Sequence, residues 1–325
     1  MTRPHFTRPA GAGPLLVADN LVKHYKARDG EGVARAVDGV SLTLKRGETL
    51  GIVGESGCGK STLARLILRL IEPTSGRVTF DGTDVLAQSP ARLRRLRRDM
   101  QIVFQDPYAS LDPRMSIGQI IAEPLDIHGL GSKAERRRKV EDLLLMVGLD
   151  RSALERYPHE FSGGQRQRIG IARAIALEPQ LLVLDEPVSA LDVSIQSQIL
   201  NLLVDLKTRL NLSYVFISHD LSVVEHVSDR VLVMYLGRIV EEGTASQVLK
   251  QPRHPYAEAL VSAVPGARAG GRIVLKGDPP SPDAVPAGCR FHPRCPKVLD
   301  ICGAAPPPSI GSAGASRVEC HLFSD

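Results

Sequence analysis

One run of nine residues, Gly54-Glu55-Ser56-Gly57-Cys58-Gly59-Lys60-Ser61-Thr62, carries the clearest chemistry in the chain. Its first eight positions fit G-x-x-x-x-G-K-S/T. Glycines at this spacing let backbone N–H groups curl around a phosphate, and a helix opening at Lys60 would add about half a positive charge there. Lys60 would reach the β- and γ-phosphates of a nucleoside triphosphate, and Ser61 would offer its hydroxyl to Mg²⁺. Cys58 would contribute its backbone N–H and needs no thiol chemistry. A second feature, LLVLDE at 181–186, places two carboxylates at the end of an apolar run. Charges at the end of a buried strand are costly unless they meet a cation. Asp185 therefore suits Mg²⁺ through water, and Glu186 is free to polarise an attacking water. A third, Phe161-Ser162-Gly163-Gly164-Gln165, opens a helical stretch and forms a second anion site. Two phosphate sites are redundant for one nucleotide unless each completes the other's site in a second copy. Head-to-tail pairing would bury two ATP molecules, each between a phosphate loop and the partner's Ser-Gly-Gly-Gln.

These residues need a scaffold, and the patterning supplies one. The run GETLGIVG ends as a buried strand just before the phosphate loop. Leu63, Leu66, Ile67, Leu70 and Ile71 follow at the spacing of one helix face. RVTFDGTDV carries an Asp-Gly hairpin signal, 91–99 reads as a helix and QIVFQ as a strand. From about 106 to 165 the pattern is helical with polar breaks, as in an inserted subdomain. LLVLDE and YVFISHD are short apolar runs of the kind that buried parallel strands make, and RVLVMYLGRIVEEG predicts a closing hairpin around Gly237-Arg238. Strands alternating with helices imply an α/β fold with a mostly parallel sheet.

Composition narrows the class. The 325 residues are 43% hydrophobic and 24% charged, which excludes wholesale disorder. No apolar run approaches the ~20 residues of a bilayer-spanning helix, and MTRPHFTRPAGAGPLL lacks the apolar core of a secretory leader. A cytosolic chain is expected. The net charge of +5 suits an anionic ligand and gives no argument for nucleic acid. Arg92, Arg94, Arg95, Arg97 and Arg98, and the run Arg136-Arg137-Arg138-Lys139, read as solvated helix faces.

With Gln105, the sequence SALD at 189–192 and His219, the motifs resemble the full ordered set of the ATP-binding-cassette (ABC) ATPases over roughly residues 15–250. The resemblance implies that Gln105 touches Mg²⁺ and senses the γ-phosphate. It places Asp192 across the seam of an ATPase dimer, and sets His219 to contact the γ-phosphate and hold the water with Glu186. It also places Tyr25 where an aromatic ring stacks on adenine. The implied nucleotide contacts are Tyr25, Gly54, Ser56, Gly57, Cys58, Gly59, Lys60, Ser61, Thr62, Gln105, Asp185, Glu186 and His219. Ser162, Gly163, Gly164, Gln165 and Asp192 would act in trans. Ser61, Gln105 and Asp185 would serve Mg²⁺. The implied fold is a P-loop core with an antiparallel β-subdomain and a helical subdomain at about 106–165, all within residues 1–252.

FQDPYASLDPR (104–114), YPHEFSGGQRQR (157–168), HPYAEAL (254–260) and GCRFHPRCP (288–296) further resemble ATPase subunits of bacterial dipeptide and oligopeptide importers; nickel importers look similar. That resemblance implies two membrane-spanning permeases, a second ATPase (a paralogous chain or an identical copy), an extracytoplasmic peptide-binding protein, and a place on the cytoplasmic face of the cell membrane. Only about 100 residues separate the phosphate loop from Ser-Gly-Gly-Gln, without sustained heptads, which disfavours a DNA-repair or chromosome ATPase. A single cassette disfavours a two-cassette ribosome-associated factor, and the importer-type strings disfavour a drug exporter.

Residues 253–325 differ in character. Twelve of 23 prolines fall from Pro252 onward, and four of five cysteines lie at Cys289, Cys295, Cys302 and Cys320. Apolar runs are too few for much core of their own. Clustered cysteines in a cytosolic chain point to metal before disulfides. Zinc sites usually carry a tight Cys pair, which is missing here, so the spacing C-x5-C-x6-C-x17-C fits an iron–sulfur cluster better. Similar tails in the importer branch imply a 4Fe–4S cluster; zinc and free thiols are the alternatives.

Overall fold

The computed structural model describes residues 13–26, 32–106, 108–264, 271–311 and 316–324. The strands are β1 (Leu16–Lys26), β2 (Val33–Leu44), β3 (Thr49–Val53), β4 (Ser75–Phe80), β5 (Thr83–Asp84), β6 (Met100–Val103), β7 (Leu181–Asp185), β8 (Ser213–Ile217), β9 (Arg230–Tyr235), β10 (Arg238–Thr244), β11 (Ser309–Gly311) and β12 (Arg317–Glu319). The helices are α1 (Lys60–Ile67), α2 (Pro90–Leu96), α3 (Ile117–Ile127), α4 (Lys133–Met146), α5 (Gly163–Ile175), α6 (Val193–Leu210), α7 (Leu221–Val227), α8 (Ala245–Lys250) and α9 (Pro255–Ser262).

Among the described residues the central sheet runs β11-β12-β10-β9-β3-β8-β7-β6. From β9 to β6 every neighbouring pair is parallel. Every residue of β3, β7 and β8 is buried, because helices cover both faces of a parallel sheet and leave no polar side. This is why the apolar runs ending at Val53 and Asp185 show no alternation. A second, antiparallel sheet runs β2-β1-β4-β5. The fold is thus the α/β core with an antiparallel β-subdomain and a helical subdomain that the motifs imply.

The helical subdomain is built from α3, α4 and α5. Each opens on a serine that caps it reciprocally: Ser116 with Gln119, Ser132 with Glu135, and Ser162 with Gln165. Its apolar face is Ile117, Ile120, Ile121, Leu125, Val140, Leu143 and Leu144, all buried. In the basic run, Arg136 pairs with Asp126, Arg137 with Glu141 and Lys139 with Glu178.

Two local expectations shift. The helix face beginning at Leu63 stops at Ile67 and does not extend to Leu70 and Ile71. Arg69 turns into the left-handed region (φ 49), and the amides of Arg69 and Leu70 close back on the carbonyls of Leu66 and Arg65. The Arg69 guanidinium then donates to the carbonyls of Val85 and Gln88, offsetting the cost of that conformation. The closing hairpin turns at Leu236-Gly237, one residue earlier than expected, with φ positive at both positions as a two-residue turn requires.

The chain beyond α9 borrows the core of the main sheet. β12 pairs with β10 through Glu241↔Val318 and Glu242↔Arg317, and β11 pairs with β12. Phe291 is 1% exposed, with its ring 5.3 Å from Tyr235 and 5.4 Å from Tyr256; those two rings lie 4.6 Å apart. Single large aromatics thus anchor a segment too poor in apolar runs to fold around itself.

Candidate nucleotide site

The phosphate loop joins β3 to α1, and its backbone is possible only for glycine at key points. Gly54 and Gly59 have φ of 154 and 110; a Cβ on Gly59 would collide with the Ala36 carbonyl. Lys60, the first residue of α1, is buried and donates to the carbonyl oxygens of Gly54 (2.8 Å) and Glu55 (3.0 Å). Ser61 follows, and its hydroxyl donates to Asp185 Oδ1 at 2.9 Å. Asp185 ends β7 almost fully buried. Burial, with the Glu186 charge beside it, pushes the Asp185 carboxyl above the ordinary carboxylate range against the Ser61 bond. A cation at this point would reverse that balance. The donor set here, a hydroxyl, a carboxylate and the amide oxygen of Gln105, is hard and oxygen-rich, as Mg²⁺ requires.

Glu186 stands one residue past the strand with φ of 48. That left-handed conformation is strained for a glutamate, and its amide is held by the Ile217 carbonyl of β8 at 3.0 Å. The turn lifts the carboxylate out of the sheet. Gln105 Nε2 donates to Glu186 Oε2 at 3.2 Å, and His219 Nδ1 lies 3.1 Å from the same oxygen. The glutamate side chain is 13% exposed and the histidine 54%. Two groups, each more than 30 residues from Glu186 in sequence, thus converge on one of its carboxylate oxygens. A cavity of about 530 Å³ brings Ser56, Gly57, Gly59, Lys60, Ser61 and Thr62 together with Gln105, Glu186 and His219. A neighbouring cavity of about 690 Å³ shares Ser61 and Gln105 and also meets Asp185.

Other expected residues lie elsewhere. Tyr25 sits near the end of β1, paired with Ala34 and 42% exposed, with Lys23 Nζ 5.0 Å from its ring centre. It stands apart from the wall of the phosphate cavity. Ser162, Gln165 and Asp192 are exposed, and neither cavity is lined by them or by Gly163 and Gly164. Within this chain Ser162 caps α5 and accepts from the Gln165 amide. A Cβ on Gly164 would overlap the Ile195 side chain, so that glycine lets α5 pack tightly against the start of α6. This packing sets Ser162 near the Asp192 end of α6.

Cys58 is buried, and burial pushes its thiol up. In the C-terminal segment Cys289, Cys302 and Cys320 are buried and Cys295 partly so; none is in a disulfide. The Cys289 amide donates to the Cys302 carbonyl at 2.7 Å. Burial and then the neighbouring thiols Cys302, Cys320 and Cys295 push the Cys289 thiol up to about 11. Among the described residues no three His, Cys, Asp or Glu side chains are grouped to hold a single metal ion.

Residues of the C-terminal segment also reach the phosphate loop, which the sequence reading did not anticipate. Tyr256 accepts from the Glu55 amide at 2.8 Å, Arg294 forks onto both Glu55 carboxylate oxygens at 2.8 and 3.0 Å, and Pro282 lines the phosphate cavity.

Two family profiles match, an ABC transporter profile over residues 37–189 and the oligopeptide/dipeptide transporter C-terminal region over residues 240–302. The oligopeptide transport ATP-binding protein AppF of Bacillus subtilis is 52% identical over 95% of this chain and 98% of that protein. The chain belongs to the ATP-binding subunits of the oligopeptide and dipeptide ABC transporters. The dipeptide transport ATP-binding protein DppF of Escherichia coli is 50% identical over 94% of each chain. A solved structure described as a dimeric post-hydrolysis state of the cassette MJ0796 bound to ADP and Pi superposes with a TM-score of 0.65. It has 32% identity and covers 71% of this chain and 98% of that one. Membership makes this ABC subunit an ATPase whose hydrolysis drives peptide transport, with membrane permeases as partners and a dimeric ATPase assembly. Among the described residues no helix is long and apolar enough to cross a membrane.

Proposed function

We propose that this subunit powers peptide import from the cytoplasmic face of a bacterial membrane, through ATP sites that two ATPase subunits complete for each other. One observation carries the reading. Gln105 and His219 converge on a single Glu186 oxygen beside Lys60 and Ser61, while Ser162, Gln165 and Asp192 are exposed away from that cavity. Each chain therefore holds the water-activating half of a site and presents the other half outward. Lys60 and the loop amides bind the β- and γ-phosphates. Ser61, Gln105 and Asp185 would hold Mg²⁺, which when bound supplies positive charge to the phosphate oxygens. Glu186, steered by Gln105 and His219, orients the water. Tyr25 stacks on adenine from the β-subdomain. Ser162 to Gln165 and Asp192 of the second subunit close over the γ-phosphate, and ATP thereby shifts the pair toward its closed state. Two permeases receive that motion, and an extracytoplasmic binding protein delivers the peptide. The second ATPase is a paralogous chain, with an identical copy as the alternative.

In this reading residues 1–252 are the ATPase domain and 253–325 an importer-type extension. Cys289, Cys295, Cys302 and Cys320 are soft donors, three of them buried and none in a disulfide, a set suited to a 4Fe–4S cluster. Such a cluster would tie the extension together by binding only its folded form.

The trans arrangement is tested with Ser162→Arg. Monomer binding of MgATP should remain within about twofold of wild type, while ATP-driven dimerisation in a Glu186→Gln background, followed by light scattering, should disappear. Equal loss of monomer binding would place Ser162 in its own chain's site and overturn the reading.

A further inference from the structure

The extension touches the phosphate loop at the residue whose side chain the nucleotide chemistry leaves unused. Glu55, the second residue of the loop, has no assigned part in holding phosphate. Its carboxylate instead receives the Arg294 guanidinium in a two-pronged bond, Nη1 to Oε2 at 2.8 Å and Nη2 to Oε1 at 3.0 Å. The partners are 239 residues apart in sequence. The arginine side chain is 7% exposed and the glutamate 27%, so solvent does little to screen the pair. The Glu55 amide donates to Tyr256, and the Glu55 carbonyl accepts from Lys60 Nζ. All three polar groups of Glu55 are therefore occupied, two of them by the extension, and the third ties the same residue to the phosphate-binding lysine.

Arg294 is itself held firmly. Its amide bonds the Phe291 carbonyl at 3.0 Å, and Phe291 is locked among Tyr235, Tyr256 and His254. From the other side the Arg35 amide donates to the Pro282 carbonyl at 2.8 Å, beside Ala36, and both Pro282 and Ala36 line the phosphate cavity. The extension thus meets the nucleotide site at two separate points.

We infer that Arg294 is a positioning residue for ATP binding, clamping the phosphate loop through the Glu55 carboxylate, so that the C-terminal extension forms part of the nucleotide site. The inference rests on the reading of this cavity as the ATP site. A loop that must present several amides to one triphosphate loses affinity when its backbone is free to wander, because ordering must then come from binding energy. Removing the clamp therefore weakens binding of nucleotide more than it slows turnover of nucleotide already bound.

The test uses the full chain and MgATP. By isothermal titration, Arg294→Ala should raise the Kd for MgATP about tenfold, equivalent to about 1.4 kcal/mol. Arg294→Lys, which keeps the charge but loses the fork, should fall between the two. In the assembled transporter KM for ATP should rise in step, while kcat at saturating ATP stays within about twofold of wild type. A double-mutant cycle then separates positioning from a general loosening of the extension. If Arg294 acts through Glu55, Arg294→Ala should cost nothing further in a Glu55→Gln background. Unchanged Kd in Arg294→Ala, or full additivity with Glu55→Gln, would overturn the inference. Wild-type chain that fails to bind MgATP at all would instead overturn the ATP-site reading beneath it.

Discussion

Removing one ring from the extension should release it while sparing the sheet beneath. Phe291 is fully buried against Tyr235, Tyr256 and His254. Truncating such a side chain to alanine costs about 3–5 kcal/mol, transfer and cavity together. At about 1.4 kcal/mol per tenfold, that multiplies the open population of whatever unit Phe291 holds by roughly two to nearly four orders of magnitude. The unit is set by connectivity. β12 joins the sheet edge through two residue pairs with β10, whereas β8 lies inside the sheet between β3 and β7. Opening should therefore be local. The assay is native-state hydrogen exchange by mass spectrometry on Phe291→Ala. Peptides covering 289–302, where the amides of Cys289, Arg294 and Cys302 bond the carbonyls of Cys302, Phe291 and Leu299, should exchange at least about 100-fold faster. Peptides covering β8 should accelerate by less than about tenfold. A change under about fivefold in 289–302 would refute the anchoring argument. Equal acceleration in β8 would show that the extension and the sheet open as one unit.

Two further predictions follow from buried groups. Burial pushes the Glu241 carboxyl up to about 7 from an ordinary 4.5, although the amides of Arg253 and His254 bond it and pull the other way. The folded chain thus keeps this proton longer than the unfolded chain, so the contribution to stability is full below about pH 4.5 and is lost as pH rises to about 7. At about 1.36 kcal/mol per unit the window is worth about 3 kcal/mol. Between pH 5 and 7 the melting temperature of wild type should fall more steeply than that of Glu241→Gln; parallel curves would contradict this. For the thiols, protein purified without oxygen should be brown and carry about four iron atoms per chain, and Cys295→Ser should bleach it. One equivalent of zinc in colourless protein would support zinc, and metal-free protein with four alkylatable thiols would exclude both.

The phosphate loop and the two carboxylates where β7 ends are legible in the sequence because their chemistry demands fixed residue types in short contiguous runs. Parallel strands packed on both faces read as unbroken apolar runs, so β3, β7 and β8 are legible too. What the sequence hides is conformation and long-range pairing. Nothing in LLVLDE announces that Glu186 takes φ of 48, although that turn carries its carboxylate to Gln105 and His219. The apolar period past Ile67 fails because Arg69 adopts a left-handed backbone offset by hydrogen bonds to distant carbonyls. Phe291 stands singly in polar surroundings, and no periodicity marks it as core. The Glu55–Arg294 pair spans most of the chain, beyond the reach of any local pattern.

The central claim is that ATP hydrolysis at this site, with Glu186 orienting the water, drives peptide import. It is tested most directly in proteoliposomes holding the complete transporter and its binding protein, with Glu186→Gln in this chain and the corresponding glutamate of any paired ATPase also replaced. The account predicts that MgATP still binds and the ATPase pair stays closed, while ATP turnover and uptake of labelled dipeptide fall by at least about 100-fold, as expected when the group that orients the nucleophile is lost. Hydrolysis and uptake at the wild-type rate in that variant would contradict it.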